Sequence, residues 1–242
     1  PTFDLPADMD AETRRDMAET GWNPTEIERV TWAGGAYVAI GEFDGRTTVW
    51  RADDPYHFTV AWSDPRDDPG CCRRHIRLEH IVDLGDRALV AGNGTVDDVH
   101  RSFVLASDDH GESWSELDAE IFTAPDSHIS QLLAVDDTAI AAVTERVDNR
   151  VVTGPAYRSH DLLEWTPVAA PDAGVDSRGD PRGVSYTAGG GELLVAMSSG
   201  WSDPGGFTNV WFSDDAGASF SSSTSFDEAI EWGLAPAGGA AV

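Results

Sequence analysis

An internal repeat runs through the chain, and a repeat of this length leaves few folds open. Two segments match closely. Ser107–Trp114 reads SDDHGESW and Ser213–Phe220 reads SDDAGASF, so both follow S-x-D-x-G-x-S-aromatic. Two looser copies, Ala52–Phe58 (ADDPYHF) and Ser159–Trp165 (SHDLLEW), are one residue shorter. The copies begin at positions 52, 107, 159 and 213, which are 55, 52 and 54 residues apart. Each follows a short apolar or mixed run, such as Phe103-Val104-Leu105 or Val210-Trp211-Phe212. Further upstream lies a longer apolar run: Tyr37–Ile40, Ala88–Ala91, Ala139–Val143 and Leu193–Met197. Another run precedes that one, and the aromatic residue of each copy opens a last short run. Four strands per repeat, punctuated by Gly, Asp and Ser, is the pattern of a β-propeller blade. The expected fold is therefore all-β: a propeller with four visible four-stranded blades of about 54 residues. They are expected at about 27–62, 78–118, 128–169 and 183–226, with a partial fifth in 227–242.

The two ends depart from the template. Residues 1–26 form a separate N-terminal segment. Within it Ala7–Thr20 reads as a short helix stopped by Gly21, or as the end of a preceding blade. The C-terminal stretch echoes the first blade: Ile230-Glu231 and then Ala237-Gly238-Gly239-Ala240 parallel Ile27-Glu28 and Ala33-Gly34-Gly35-Ala36. Either the N-terminal segment completes that further blade in a small ring, or the chain is cut from a longer propeller. The first residue is Pro1, which fits a processed product, a trimmed chain or a fragment.

The S-x-D-x-G-x-x-W pattern resembles the Asp box, or BNR repeat, of sialidases and related propellers, over about residues 27–226. That resemblance places each box in the turn between the third and fourth strands of a blade. It implies structural roles for Ser107, Asp109, Gly111, Trp114, Asp161, Trp165, Ser213, Asp215, Gly217 and Phe220. The residue types suit such roles. A short carboxylate accepts hydrogen bonds from turn N–H groups, glycine takes up a backbone conformation that a Cβ opposes, and a large aromatic side chain buries much area. By the same resemblance, ligands bind on the face opposite the boxes. The loops available there are about 61–78, 93–102, 115–128, 144–151, 167–183 and 198–208.

Composition narrows the partners. The chain has 242 residues and a formal charge of −27, with 43 Asp+Glu against 16 basic residues, every one of them Arg. Nucleic-acid affinity is built on cationic contacts, so nucleic acid is not an expected partner. An anionic membrane surface repels such a chain, and no apolar run reaches the length of a membrane span. A secreted or cell-envelope location is expected from the resemblance.

The same loops hold more than half of the arginines. Arg73, Arg101, Arg150 and Arg182, with Trp201, are candidate ligand-binding residues for a glycan or another small anionic ligand, since Arg grips carboxylates bidentately. The plain alternative is that these arginines pair with neighbouring Asp in solvated loops. Asp64, Asp97, Glu145 and Asp180 are candidate carboxylates for paired acid–base hydrolysis. Tyr186 is the one tyrosine whose position suits a sialidase-type nucleophile. The sialidase assignment does not transfer further: the typical Arg-Ile-Pro motif is missing, and four blades are visible where six are needed.

No disulfide framework is possible with only Cys71 and Cys72. These two with His75 and His80 have zinc-type donors, but adjacent cysteines are not a usual zinc spacing. No cofactor is expected, although an Asp-rich turn holding calcium is an alternative to a metal-free chain. The leading functional expectation is an extracellular sialidase-like propeller that binds or hydrolyses glycans. The alternative is a non-catalytic propeller that serves as a scaffold for a protein partner.

Overall fold

The computed structural model describes residues 2–4, 25–43, 45–64, 75–96, 98–147, 150–169, 183–202 and 205–226, with the single positions 11, 12, 15, 19 and 171. The chain is an all-β protein of the propeller class, and its described residues form four sheets. Sheet one runs β2 (Thr25–Ala33), β3 (Ala36–Phe43), β4 (Arg46–Ala52) and β5 (His57–Ser63), with β1 (Thr2–Phe3) added at the outer edge. Sheet two holds β6 (His75–Leu84), β7 (Arg87–Val96), β8 (Val99–Ser107) and β9 (Ser115–Glu116). Sheet three holds β10 (Ser127–Val135), β11 (Thr138–Val147), β12 (Arg150–Ser159) and β13 (Thr166–Pro167). Sheet four holds β14 (Ser185–Ala188), β15 (Leu194–Ser202), β16 (Gly205–Ser213) and β17 (Ser221–Phe226).

In every sheet, consecutive strands pair antiparallel as an up-and-down meander. The exception is β1, which lies parallel to β5 with Thr2 opposite His57. The first strands of sheets one, two and three share a defect. The register slips by one residue between Ile27 and Arg29, between Leu78 and His80, and between Ile129 and Gln131. Such a bulge brings two backbones close together. A Cβ on Gly41 would lie 2.0 Å from the Glu26 carbonyl oxygen, and one on Gly92 would lie 1.7 Å from that of Arg77. Glycine is the residue these two contacts admit.

The chain divides into two compact units, Pro1–Asp118 and Ala119–Val242, each holding two sheets. In the first unit, Val38, Ile40 and Val49 of sheet one pack against Leu78, Val90, Phe103, Leu105 and Trp114 of the second. The other face of sheet one forms its own cluster of Phe43, Trp50 and Phe58. Phe3 covers it, stacked on Phe58 at 4.7 Å and edge-on to Trp50 at 5.6 Å, while Trp50 Nε1 donates to the Asp4 carbonyl. In the second unit, Ile140, Ala142 and Ala156 of sheet three meet Leu194, Ala196 and Trp211 of sheet four. Alternation along the strands produces these faces, because successive side chains point to opposite sides. Among the described residues no helix is long and apolar enough to cross a membrane.

Candidate functional site

The repeated segments all lie between the third and fourth strands of their sheets, after β4, β8, β12 and β16. In the turn at 107–114, Ser107 Oγ donates to Asp109 Oδ1 at 2.8 Å and accepts from the Gly111 N–H at 2.9 Å. Asp109 in turn accepts from the Ser113 N–H and hydroxyl. The turn at 213–220 repeats each bond with Ser213, Asp215, Gly217 and Ser219. His110 and Gly111 both have left-handed backbones, at φ 60° and 78°, as do Ala216 and Gly217 at 49° and 84°. The shorter turn at 159–165 keeps the serine and the aspartate. Asp161 Oδ1 accepts from the N–H groups of Leu163 and Glu164, both at 2.9 Å, and Leu162 alone is left-handed.

These bonds stabilise the charged carboxylates. The Ser113 hydroxyl, more than any other group, holds Asp109 down to about 2, and the Ser219 hydroxyl does the same for Asp215, also to about 2. The Glu164 and Leu163 N–H groups lower Asp161. Charge here serves turn geometry rather than proton transfer, because a group this acidic stays ionised near neutral pH. The aromatic residues close the turns: Trp114 Nε1 donates to the Gly111 carbonyl and Trp165 Nε1 to that of Leu162.

Arginine ties the turns to the preceding sheet. Arg51, at the end of β4, donates through Nε to the His110 carbonyl at 2.9 Å. Arg158, in the matching place on β12, donates to the Asp215 carbonyl at 3.0 Å. Each bond lies inside one compact unit.

The second unit also holds a cavity of about 380 Å³, within the range typical of small-ligand sites. One wall is the chain between β9 and β10: Glu120, Ile121, Ala124, Pro125, Asp126 and Ser127. The other wall is sheet three, through Val143, Pro155 and Tyr157. These three alternate with Ala142 and Ala156, so they lie on the face turned away from sheet four. The first wall is built from a single helical turn, Glu120–Thr123. Phe122 anchors it, fully buried and edge-on to Trp165 at 4.9 Å. Ser127 Oγ then bonds the Phe122 carbonyl at 2.7 Å, and Asp126 turns the chain with φ 61°. Glu120 and Asp126 are exposed, and the Tyr157 ring is half-buried.

The described sequence-derived candidates each have their own surroundings. Asp64 is buried at the end of β5, where its carbonyl accepts from Arg46 Nε and Nη2. Arg101 bonds Glu116 at 3.0 Å and lies over the Phe103 ring at 4.6 Å, so its charge is already engaged. Tyr186 is 7% exposed in the core of the second unit, and burial pushes its phenol up, the opposite of what a nucleophilic phenolate needs. The backbones of Glu145, Arg150 and Trp201 lie on β11, β12 and β15, opposite Ser127, Val147 and Gly206. Their side chains are outside the described residues, as are Arg73, Asp97, Asp180 and Arg182. Cys71 and Cys72 are outside them too, while His75 and His80 sit on β6.

Among the candidates whose backbone is described, Glu145 alone comes next to the cavity, through its pairing with Ser127. Sequence reasoning includes loop 115–128 but passes over Glu120 and Asp126 within it. Tyr157 reads from sequence as an ordinary strand residue. The available signal is that this connection contains Phe122 and Pro125, apolar residues that a solvated loop does not need.

No family model and no curated protein matches this chain. Among solved structures, a GH74 xyloglucanase from Xanthomonas campestris is similar at 15% identity and a TM-score of 0.46, over 82% of this chain and 29% of that one. A polysaccharide lyase, the PL25 ulvan lyase, is similar at 12% and 0.48, over 81% and 54%. A fructofuranosidase from Schwanniomyces occidentalis is similar at 12% and 0.45, over 83% and 47%. The chain thus spans about a third to a half of the length of these proteins. At such identities the fold assignment rests on the four meander sheets themselves.

Proposed function

We propose that the chain is a carbohydrate-binding propeller of the Asp-box type, secreted or held in the cell envelope, and that the cavity on sheet three receives the sugar. The observation that carries this reading is the lining of that cavity. An aromatic ring beside two prolines offers a flat apolar wall for the C–H face of a pyranose. The exposed Glu120 and Asp126 carboxylates offer acceptors for its hydroxyl groups. Polar groups that fix orientation over an apolar floor are the usual make-up of a small-ligand site. The resemblance of the repeat to that of sialidases supports the same class of ligand. A sialic-acid substrate has less support, because no arginine lines the cavity among the described residues and Arg101 is held by Glu116.

The test is titration of the folded chain with a panel of neutral oligosaccharides, followed by tyrosine and tryptophan fluorescence. Saturable binding, lost in Tyr157→Ala while the melting temperature stays within a few degrees, supports the reading. The absence of binding to any saccharide by a cooperatively folded chain would overturn it. A parallel assay on fluorogenic glycosides, including a sialoside, decides whether binding is accompanied by turnover. Turnover lost in Glu120→Gln or Asp126→Asn assigns hydrolysis to this cavity.

A further inference from the structure

The cavity on sheet three has a one-signed lining, and this carries the reading above, on which it rests, to a narrower class of ligand. The charged groups on its walls are Glu120 and Asp126. Both residues are exposed, and neither carboxylate makes an ion pair or hydrogen bond among the described residues. Arginine and histidine are missing from the described lining. Ser127, the remaining polar side chain of the first wall, is directed to the Phe122 carbonyl. The half-buried ring of Tyr157 adds a π face, which attracts cations and adds nothing for anions. Beyond the cavity the whole chain carries −27, a field that concentrates cations at its surface and repels acids.

A neutral sugar meets the two carboxylates with hydroxyl groups alone. A sugar acid meets like charge with no counter-ion among the described lining residues. An ammonium-bearing sugar meets two carboxylates and an aromatic face, and charge-assisted hydrogen bonds are roughly twice as strong as neutral ones.

We propose that this cavity selects a saccharide bearing a free ammonium group, an amino sugar in its deacetylated form, over its neutral and acidic counterparts. The ammonium group lies between Glu120 and Asp126, and the apolar face of the ring lies on Tyr157 and Pro155. This inverts the expectation from the arginine-rich loops, which pointed to an anionic ligand.

The test is calorimetric titration of the full chain with three matched disaccharides at 150 mM salt: deacetylated chitobiose, cellobiose and a digalacturonate. The expected result is binding of deacetylated chitobiose at least tenfold tighter than cellobiose, with digalacturonate weakest. Glu120→Gln with Asp126→Asn should bring the first two within threefold of each other without abolishing binding of cellobiose. Tyr157→Ala should weaken both. Equal affinity for the amino and neutral sugars, or tighter binding of the acid, overturns this inference and leaves the carbohydrate reading standing. A preference that survives intact in the double variant also overturns it, since the attraction would then belong to the net charge and not to the cavity. Failure of all three disaccharides to bind, with a melt confirming the fold, would count against the carbohydrate reading itself.

Discussion

The turns at 107–114 and 213–220 differ from those at 52–58 and 159–165 by one residue and by chemistry. The longer turns hold two left-handed residues in a row, and their aspartate takes a serine hydroxyl as well as an N–H. The shorter turn at 159–165 holds one left-handed residue, and its aspartate takes two adjacent N–H groups. Arginine stands one residue ahead of each shorter turn, as Arg51 and Arg158, where the longer turns have Ala106 and Phe212. Each arginine bonds the longer turn of the next sheet in its own unit. Short turn, arginine and long turn therefore form one set that occurs once in each compact unit. The chemistry repeats every two sheets, although the strands repeat every one.

The sharpest way to break this equivalence is at the glycines. A Cβ on Gly217 would lie 2.9 Å from Val168 and 3.0 Å from Leu194, whereas one on Gly111 finds ordinary contacts of 3.6 Å and beyond. Both positions are left-handed. Gly217→Ala should cost about 2–4 kcal/mol from strain and crowding together, and Gly111→Ala about 1–2 kcal/mol from strain alone. Urea unfolding of the two variants checks the order, and equal losses would show that the packing around them is equivalent after all.

The arginines come next. Arg158→Ala should destabilise by about 1–2 kcal/mol, because a charged donor to a carbonyl is removed. Arg51→Ala should match it within experimental scatter. A clear loss in one and none in the other would dissolve the two-sheet set.

A third test uses acid. The Asp109 and Asp215 carboxyls are held at about 2, below the unfolded value of about 4. Their stabilisation is complete above that unfolded value and is lost as pH falls through about 2. Melting temperature should thus decline between pH 4 and 2, and Asp109→Asn with Asp215→Asn should flatten the decline. Asp161→Asn should flatten it less. The smallest effect is expected from Glu164→Ser, which lends the shorter turn the serine of the longer. Its N–H already bonds Asp161, so the change should stay within about 0.5 kcal/mol in the same melts.

Much of the fold was legible because two periodicities coincide. Continuous apolar runs such as Ala88–Ala91 locate the strands, and the S-x-D segments locate one turn in each sheet. Less legible were β9 and β13, two residues each, whose pairing comes from the turn ahead of them and not from any pattern of their own. The pairing of Thr2–Phe3 with β5 was hidden for another reason: two residues carry no period, and Phe3 is placed by Trp50 and Phe58, which lie far away in sequence. The cavity was least legible of all. Its first wall belongs to a connection that does not repeat, and its aromatic residue, Tyr157, looks in sequence like any other strand position. A loop search that ranks residues by charge finds Arg101, which is occupied, before Glu120, which is open.

The lengths of the fourth strands have a consequence for colloidal behaviour. A sheet with a long bare edge invites a second molecule to add a strand. In sheets two and three the fourth strand offers only two paired residues, and in sheet one β1 covers the start of β5, at His57 and Phe58. In sheet four the fourth strand, β17, runs to six residues, and its sequence, SSSTSF, is almost entirely hydroxylated. With −27 on the whole chain, molecules that drift together meet repulsion first and short or polar edges second. Recruitment of one molecule's strands by another is thus discouraged at these fourth-strand edges.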